Sequence, residues 1–156
     1  MIKFILAVFL VSSVLFSYEM NYDKNTDGLV RHLKVYENPK WVAKIELKNG
    51  ENLFFSSPKS MFELYHRPGK WNYLNIKSED DFKAIIVTDF STLEPINAKG
   101  AFFVYGSSET SPAGDDLPAF DSYKAATEFS TKYHGARVLN FQEVSEGLIK
   151  LLNGSV

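Results

Sequence analysis

One short stretch occurs twice in this sequence, and it constrains the fold more than any other feature. Phe55-Ser-Ser-Pro-Lys-Ser60 is echoed by Phe120-Asp-Ser-Tyr-Lys-Ala125, with phenylalanine, serine and lysine at one constant spacing. Each copy contains a serine that can cap a helix, because its hydroxyl accepts an otherwise unpaired backbone N–H. Pro58 suits the first helical position, where no N–H is needed. The echo predicts two copies of a unit in which a strand runs directly into a helix.

The first copy follows a strand pattern. From residue 41 to residue 48 apolar and charged residues alternate, which is typical of a half-exposed antiparallel strand. Asn49-Gly50 then favours the type I′ turn of a hairpin, because both residues tolerate a positive φ. Asn52 to Phe55 is the expected return strand, and Pro68-Gly69 is expected to end the helix. The apolar run from Lys83 to Thr88 predicts a central strand.

The second copy predicts the same order of elements. They are a strand at Glu94–Asn97, a strand at Ala101–Tyr105, a helix from Ser122 to about Tyr133 and a strand at Arg137–Leu139. Asn140 and Glu143 have the spacing of a capping box, which predicts an amphipathic C-terminal helix at about 141–152. The sequence therefore predicts an α+β fold of two related ββαβ units, at about 41–90 and 94–140, plus this C-terminal helix.

The N-terminus has the composition of an export signal. Lys3 precedes an apolar run from Phe4 to Phe16 that is shorter than the roughly 20 residues a membrane-spanning helix needs. We expect residues 1–17 to be a signal peptide or an uncleaved N-terminal anchor, which would be the protein's sole attachment to a membrane. Residues 18–38 are polar without a clear period, so they predict an irregular lead-in.

Composition excludes several classes of function. The chain has no cysteine, which rules out disulfides, thiol catalysis, cysteine-type zinc sites and acylation as a lipoprotein. Its formal net charge is −2, and the lysines and arginines are scattered along the chain. Nucleic acid is therefore not an expected partner, because its binding requires a clustered basic surface.

Several stretches occur in an order that is typical of one family. They are Pro39-Lys-Trp-Val-Ala-Lys-Ile45, Phe55-Ser-Ser-Pro-Lys-Ser-Met-Phe62, Val87-Thr-Asp89, Ala101-Phe-Phe-Val-Tyr-Gly-Ser107 and Ala119-Phe120. Together they resemble the NosL family, the copper-binding accessory proteins of nitrous oxide reductase. The resemblance spans roughly residues 28–145 and assigns residues 39–156 to one NosL-like domain. It implies two related ββαβ units, akin to the core of alkylmercury lyase.

The metal motif of that family is missing. Family members typically carry Cys-x-x-Cys-Gly-Met shortly before the Pro-Lys-Trp segment, and the matching positions here are Gly28, Arg31, His32 and Leu33. Ser60 stands where a cysteine often precedes Met-Phe, and Ala113 stands where a loop often has methionine. Cu(I) is soft and is held by thiolate and thioether sulfur. The resemblance therefore implies a divergent member without the family's copper site.

Few soft ligands remain elsewhere. His32 lies beside the lost motif and Met61 follows Ser60, so these two residues are the metal candidates if copper is bound at all. His66 and His134 fall at predicted helix ends, where an imidazole interacts with backbone carbonyls. We therefore predict no resident cofactor, and copper binding stays an alternative.

No catalytic residues are predicted. Ser56 and Lys59 match the Ser-x-x-Lys motif of penicillin-interacting serine enzymes, but the partner motifs of those enzymes are absent and helix capping explains the serines. No nucleophile can be paired with an oriented base by its spacing to the three histidines. The protein is therefore not expected to be an enzyme.

The resemblance implies a periplasmic accessory protein in the maturation of a respiratory copper enzyme of the nitrous oxide reductase type. It would dock to a protein partner, such as a membrane transporter complex of that machinery, with copper ligation lost. Two alternatives stay open, a copper chaperone with relocated ligands and a small-molecule-binding module that uses a cleft between the repeats. The aromatic residues around the first helix either form the docking surface or close the core, and they are Phe62, Tyr65, Trp71 and Tyr73.

Overall fold

The computed structural model describes residues 17–114 and 116–155. All but the last residue of the expected signal segment therefore lies outside the described residues. The elements are β1 (Ala43–Leu47), β2 (Asn52–Phe55), α1 (Pro58–His66), β3 (Phe82–Thr88), β4 (Pro95–Asn97), β5 (Phe102–Tyr105), β6 (Ala119–Phe120), α2 (Tyr123–Lys132), β7 (Arg137–Asn140) and α3 (Glu146–Leu152). Within the described ranges, every helix is too short or too polar to cross a bilayer.

The strands form two antiparallel sheets with related topology. The first sheet has the order β2-β1-β3-β4 and the second has the order β6-β5-β7. In both sheets the first strand of a unit lies in the middle, the second strand flanks it, and a helix leads to the third strand on the other side. The predicted α+β fold of two ββαβ units plus a C-terminal helix is confirmed.

The repeated stretch starts both longer helices. Phe55 ends β2 and Phe120 ends β6, so each strand leads within two residues to a capped helix. Ser57 Oγ accepts the Ser60 N–H at 3.1 Å, and Ser122 Oγ accepts the Ala125 N–H at 3.1 Å. Each cap satisfies one of the unpaired N–H groups at its helix start.

The placement of the strand at residues 94–97 as the first strand of the second unit, ahead of the strand at 101–105, is wrong. β4 pairs with β3 and extends the first sheet, and the strand that flanks β5 in the second sheet is β6. The cause is a 3-10 turn at Ala98–Gly100, which separates β4 from β5. Asn97 Oδ1 caps this turn by accepting the Lys99 N–H at 3.0 Å. The chain leaves the first sheet at this turn. β5 then pairs with β6 and β7, which both follow the loop after Tyr105.

The predicted start of the C-terminal helix is also wrong. Asn140 and Glu143 do bond reciprocally, with the Asn140 N–H 2.8 Å from Glu143 Oε2 and the Glu143 N–H 3.0 Å from Asn140 Oδ1. These bonds close an isolated turn. α3 begins at Glu146, where Ser145 Oγ accepts the Leu148 N–H at 3.2 Å.

The Asn49-Gly50 hairpin forms with a different turn. Of the two turn residues Asn49 and Gly50, only Gly50 has a positive φ, of 93°. Its N–H donates to the Leu47 carbonyl at 3.0 Å. This is the geometry of a three-residue hairpin loop with a glycine bulge, not of the expected type I′ turn.

Apolar residues form two packed clusters that meet at β5. The larger cluster lies between the first sheet, α1 and α3, and Phe103 belongs to it. The smaller cluster packs α2 against the second sheet and includes Trp41, Phe90 and Val104. Neighbouring residues of β5 therefore serve opposite faces, as side-chain alternation in a strand requires.

Candidate functional site

The loop 28–33, which the family resemblance assigns to the metal motif, is tightly bonded. The Gly28 N–H donates to the Leu33 carbonyl at 2.9 Å, and the His32 N–H donates to the Gly28 carbonyl at 2.8 Å. The Leu29 N–H reaches the Phe54 carbonyl at 2.7 Å, which ties the loop to β2. His32 has a φ of 53°, at the position where the family motif has glycine. The backbone at His32 is therefore left-handed, a conformation that favours glycine.

The loop packs against the start of α1. Gly28 is buried, and a Cβ added there would lie 3.0 Å from the Ser56 backbone nitrogen and 3.5 Å from Ser56 Cβ. A cysteine side chain at this position would require the neighbouring backbone to shift. The position of the first family cysteine is thus tightly packed against the start of α1.

Arg31, at the position of the second family cysteine, belongs to a polar network. Its Nη2 lies 3.1 Å from Asn153 Oδ1 and 3.9 Å from Glu63 Oε2. Lys59 is fully buried; its Nζ donates to the same Asn153 oxygen and lies 4.0 Å from Glu63 Oε2. Lys70 Nζ completes the cluster at 3.1 Å from Glu63 Oε1. The network joins the loop to α1 and to the residue that follows α3.

The charge state of this network disfavours a bound cation. Burial raises the pKa of the Glu63 carboxyl, but the hydrogen bonds of Lys70 and Asn153 and the charges of Lys70 and Lys59 together outweigh it and hold that pKa below its ordinary value. Glu63 is therefore ionised at neutral pH, and it faces three cationic side chains, Arg31, Lys59 and Lys70. Within the part of the chain that the structure describes, no three histidine, aspartate or glutamate side chains are grouped to hold a metal.

The two candidate copper ligands differ in exposure. His32 is exposed on the loop, whereas Met61 is fully buried in the larger apolar cluster. His66 Nε2 lies 2.8 Å from the carbonyl of Val144, which belongs to the turn before α3 and not to the end of α1. Ser60 Oγ lies 3.1 Å from Ser57 Oγ beside the helix cap. The ligand role of His32 and Met61 stays a prediction.

The aromatic residues around α1 do not share one exposed surface. Phe62 is fully buried, Tyr65 and Trp71 are half-buried, and Tyr73 alone of the four is exposed, at 70%. Burial and a hydrogen bond to Glu79 raise the pKa of Tyr65 to about 12. Phe62 therefore closes the core and does not form a docking surface.

Grooves lie separately beside the two longer helices. The groove beside α1 has a volume of about 390 Å³ and is lined by Tyr65, His66 and Phe141, among others. The groove beside α2 has a volume of about 460 Å³, and its lining includes Phe90, Phe129 and Lys132. Neither of these two grooves is lined by residues of both α1 and α2. The groove beside α2 is nevertheless lined by Phe90 of the first predicted unit and Phe129 of the second, so it lies where the two units meet.

Four residues of the network were not identified as its members by sequence reasoning: Lys59, Glu63, Lys70 and Asn153. Lys59 and Glu63 are four residues apart on one helix, a spacing that favours an ion pair and could have been noticed. Asn153 lies 94 residues beyond Lys59, and no local pattern indicates that contact.

Replacing Gly28 with alanine is expected to lower the free energy of unfolding by about 1 kcal/mol. The added Cβ crowds the Ser56 backbone, and overpacking of this kind costs about 1–3 kcal/mol. Reduced freedom of the unfolded chain offsets about 0.4–1 kcal/mol of that cost. The matched control is Gly100→Ala, whose Cβ would have no atom within 4 Å. Urea denaturation of both variants measures the difference, and equal stability would contradict close packing at Gly28.

Comparison with known proteins identifies a family for this chain and a solved structure with a similar fold. The sequence model of the family described as NosL matches residues 19–149. The crystal structure of the copper chaperone NosL from Shewanella denitrificans has a TM-score of 0.71 and 22% sequence identity to this chain. That match covers 84% of this chain and 98% of the other, and at this identity it concerns the fold alone. No curated protein matches the chain in sequence. Because the family match spans most of the chain, the protein belongs to the NosL family.

Proposed function

We propose that this protein is an exported, non-enzymatic accessory protein in copper handling that has lost the copper ligation of its family. Its role would be the maturation of a periplasmic respiratory copper enzyme of the nitrous oxide reductase type. It would act by docking to a protein partner of that machinery. The family membership supports the copper-related role, and the chaperone from Shewanella denitrificans has the same fold.

The observation that carries the proposal is the composition of the loop 28–33. Arg31 stands at the position of the family's second cysteine, so a guanidinium takes the place of the sulfur. This guanidinium lies beside Glu63 and Asn153. At the first position Gly28 has no side chain, and its neighbour Ser56 leaves little room for one. Cu(I) requires polarisable sulfur donors, and a site that presents fixed positive charge instead repels the ion.

The retained structure supports a docking role. The loop, β2 and α1 stay joined by backbone hydrogen bonds and by the ionic network, with no sulfur ligand in the loop. A scaffold of this kind can still present a surface to a partner. Rigid surfaces bind with a smaller entropic cost than surfaces that must order on contact.

The test is an anaerobic titration of the protein with Cu(I) in competition with a chromophoric chelator. We expect no binding tighter than micromolar, whereas a Cys-x-x-Cys peptide, run as a positive control, should remove copper from the chelator. Tight binding by the protein would refute the loss of ligation. The variants His32→Ala and Met61→Leu would then identify relocated ligands, because loss of binding in either one would support the chaperone alternative.

A further inference from the structure

The groove beside α2 combines aromatic walls with two lysines. Phe90, Phe129 and Tyr133 form a continuous series, with ring centroids 5.2 Å apart for the first pair and 4.6 Å apart for the second. Lys40 enters from the segment before β1, and Lys132 lies at the end of α2. The volume of about 460 Å³ falls within the range of about 300–1,000 Å³ that is usual for ligand pockets.

Both lysines are held over aromatic rings instead of being paired with carboxylates. Lys40 Nζ lies 5.0 Å from the Phe90 centroid, and Lys132 Nζ lies 4.9 Å from the Tyr133 centroid. Among the residues that the structure describes, no carboxylate lies within 4.0 Å of either ammonium. The groove's own carboxylate, Glu128, pairs with Lys124 at 3.9 Å. The groove therefore presents two ammonium groups that an incoming anion could pair with.

The two lysines make the groove beside α2 positive, whereas the whole chain is negative. The protein has a formal net charge of −2, so a cationic groove does not follow from its overall composition. A purely apolar ligand would cover the rings and leave the ammonium groups without a partner, which is unfavourable. A small inorganic anion would pair the lysines and leave the rings uncovered. The groove suits a ligand that carries an apolar side chain and carboxylates together.

We propose that this groove is the docking site for an acidic segment of a partner protein, in which an aromatic or aliphatic side chain is flanked by aspartate or glutamate. The proposal rests on the docking role proposed above and specifies where that docking occurs. The apolar side chain packs against the half-buried Tyr133 and the small parts of Phe90 and Phe129, 9% and 7% exposed, that line the groove, and the flanking carboxylates pair with Lys40 and Lys132. Aromatic anchors framed by charged pairs are a usual composition of protein interfaces.

The test uses a fluorescein-labelled peptide with a central phenylalanine flanked by two aspartates on each side, followed by fluorescence anisotropy with the full chain. We expect saturable binding that weakens as salt is added. The double variant Lys40→Glu, Lys132→Glu should bind about tenfold more weakly, because two exposed charge pairs become repulsive. The matched control is the double variant Lys24→Glu, Lys48→Glu, which makes the same change in net charge at two exposed lysines outside the groove. Circular dichroism verifies that the variants are folded.

Three outcomes would overturn the proposal: no binding of the acidic peptide, equal weakening by the control double variant Lys24→Glu, Lys48→Glu, or equal binding of a peptide with lysines in place of the aspartates. Binding that survives replacement of the central phenylalanine by alanine would also overturn it, because the rings would then have no role. Binding of the protein to vesicles of anionic phospholipid, without binding to the peptide, would assign the groove to a membrane instead. No copper is present in the assay, so its result is independent of the Cu(I) titration that tests the proposed function.

Discussion

Replacement of Asp89 by alanine is expected to lower the free energy of unfolding by about 3–5 kcal/mol. Asp89 is 1% exposed, and its Oδ1 accepts the N–H groups of Ser91 and Thr92 at 2.8 and 2.9 Å. Its Oδ2 accepts the N–H of Asp121 at 2.8 Å. Hydrogen bonds to a charged group are worth about 1.5–3 kcal/mol each, and alanine leaves all three donors without this acceptor. The effect is measured by urea denaturation followed by circular dichroism.

The large effect also reflects where these bonds lie. Asp89 follows the last strand of the first unit, and Asp121 precedes α2 in the second unit. The Phe90 N–H donates to the Ala119 carbonyl at 2.8 Å beside them. The Asp89 carboxylate is therefore a direct link between the two units, and its loss loosens their junction.

The control for Asp89 is a carboxylate at the same junction. Asp121→Ala removes a side chain but keeps the backbone N–H that donates to Asp89, so its effect should stay within about 1 kcal/mol. Asp89→Asn keeps one oxygen acceptor, so its loss in free energy of unfolding should lie between those of Asp89→Ala and Asp121→Ala. Equal stability of the Asp89→Ala and Asp121→Ala proteins would mean that the buried carboxylate does not hold the units together.

The features that could be predicted from the sequence are those set by neighbouring residues. Ser57 and Ser122 cap their helices through residues three positions ahead, so the pattern contains all the information that the cap requires. The alternation from residue 41 to residue 48 correctly placed Ala43, Ile45 and Leu47 on a buried face of β1, but the expected exposure of the other face is wrong, because Lys44 is only 4% exposed. Local hydrogen bonds and side-chain periodicity are sufficient for the caps and for the buried face.

The errors arose where a local pattern fits more than one structure. The reciprocal bonds of Asn140 and Glu143 are satisfied equally well by an isolated turn, so they did not indicate that α3 begins only at Glu146. The strand at Pro95–Asn97 is near β5 in sequence but pairs with β3. Strand pairing is decided by which sheet edge is available in the folded protein, and the strand's own sequence does not contain that information.

The features of the candidate site also divide into those that the sequence indicates and those that only the structure shows. The absence of cysteine ligands, and of methionine from the loop 28–33, was evident from residue types alone. The interaction of Arg31 with Glu63 and Asn153 was not evident, since it joins three segments that are distant in sequence. The lost ligands were therefore readable from the sequence, whereas the ionic network beside them required the structure.

Replacement of Phe62 by alanine is expected to lower the free energy of unfolding by about 3–5 kcal/mol. Phe62 is fully buried, and its ring lies 5.1 Å from that of Phe103 and 4.9 Å from that of Phe141, between ring centroids. These partners belong to β5 and to the turn before α3, so the ring joins α1 to the second unit and to the C-terminal segment. Alanine removes the ring and leaves a cavity that three packed elements cannot fill without moving.

Two control variants separate this cavity effect from the loss of an aromatic residue as such. Phe62→Leu keeps most of the buried volume and should cost less than about 1.5 kcal/mol. Tyr73→Ala removes a ring that is 70% exposed, and its effect should stay within about 0.5 kcal/mol. Burial and not aromaticity determines the loss in free energy of unfolding. Urea denaturation is therefore expected to show the largest loss for Phe62→Ala, a smaller one for Phe62→Leu and the smallest for Tyr73→Ala. If Phe62→Ala cost no more than Tyr73→Ala, the two units could not be held together through α1 as the ring contacts indicate.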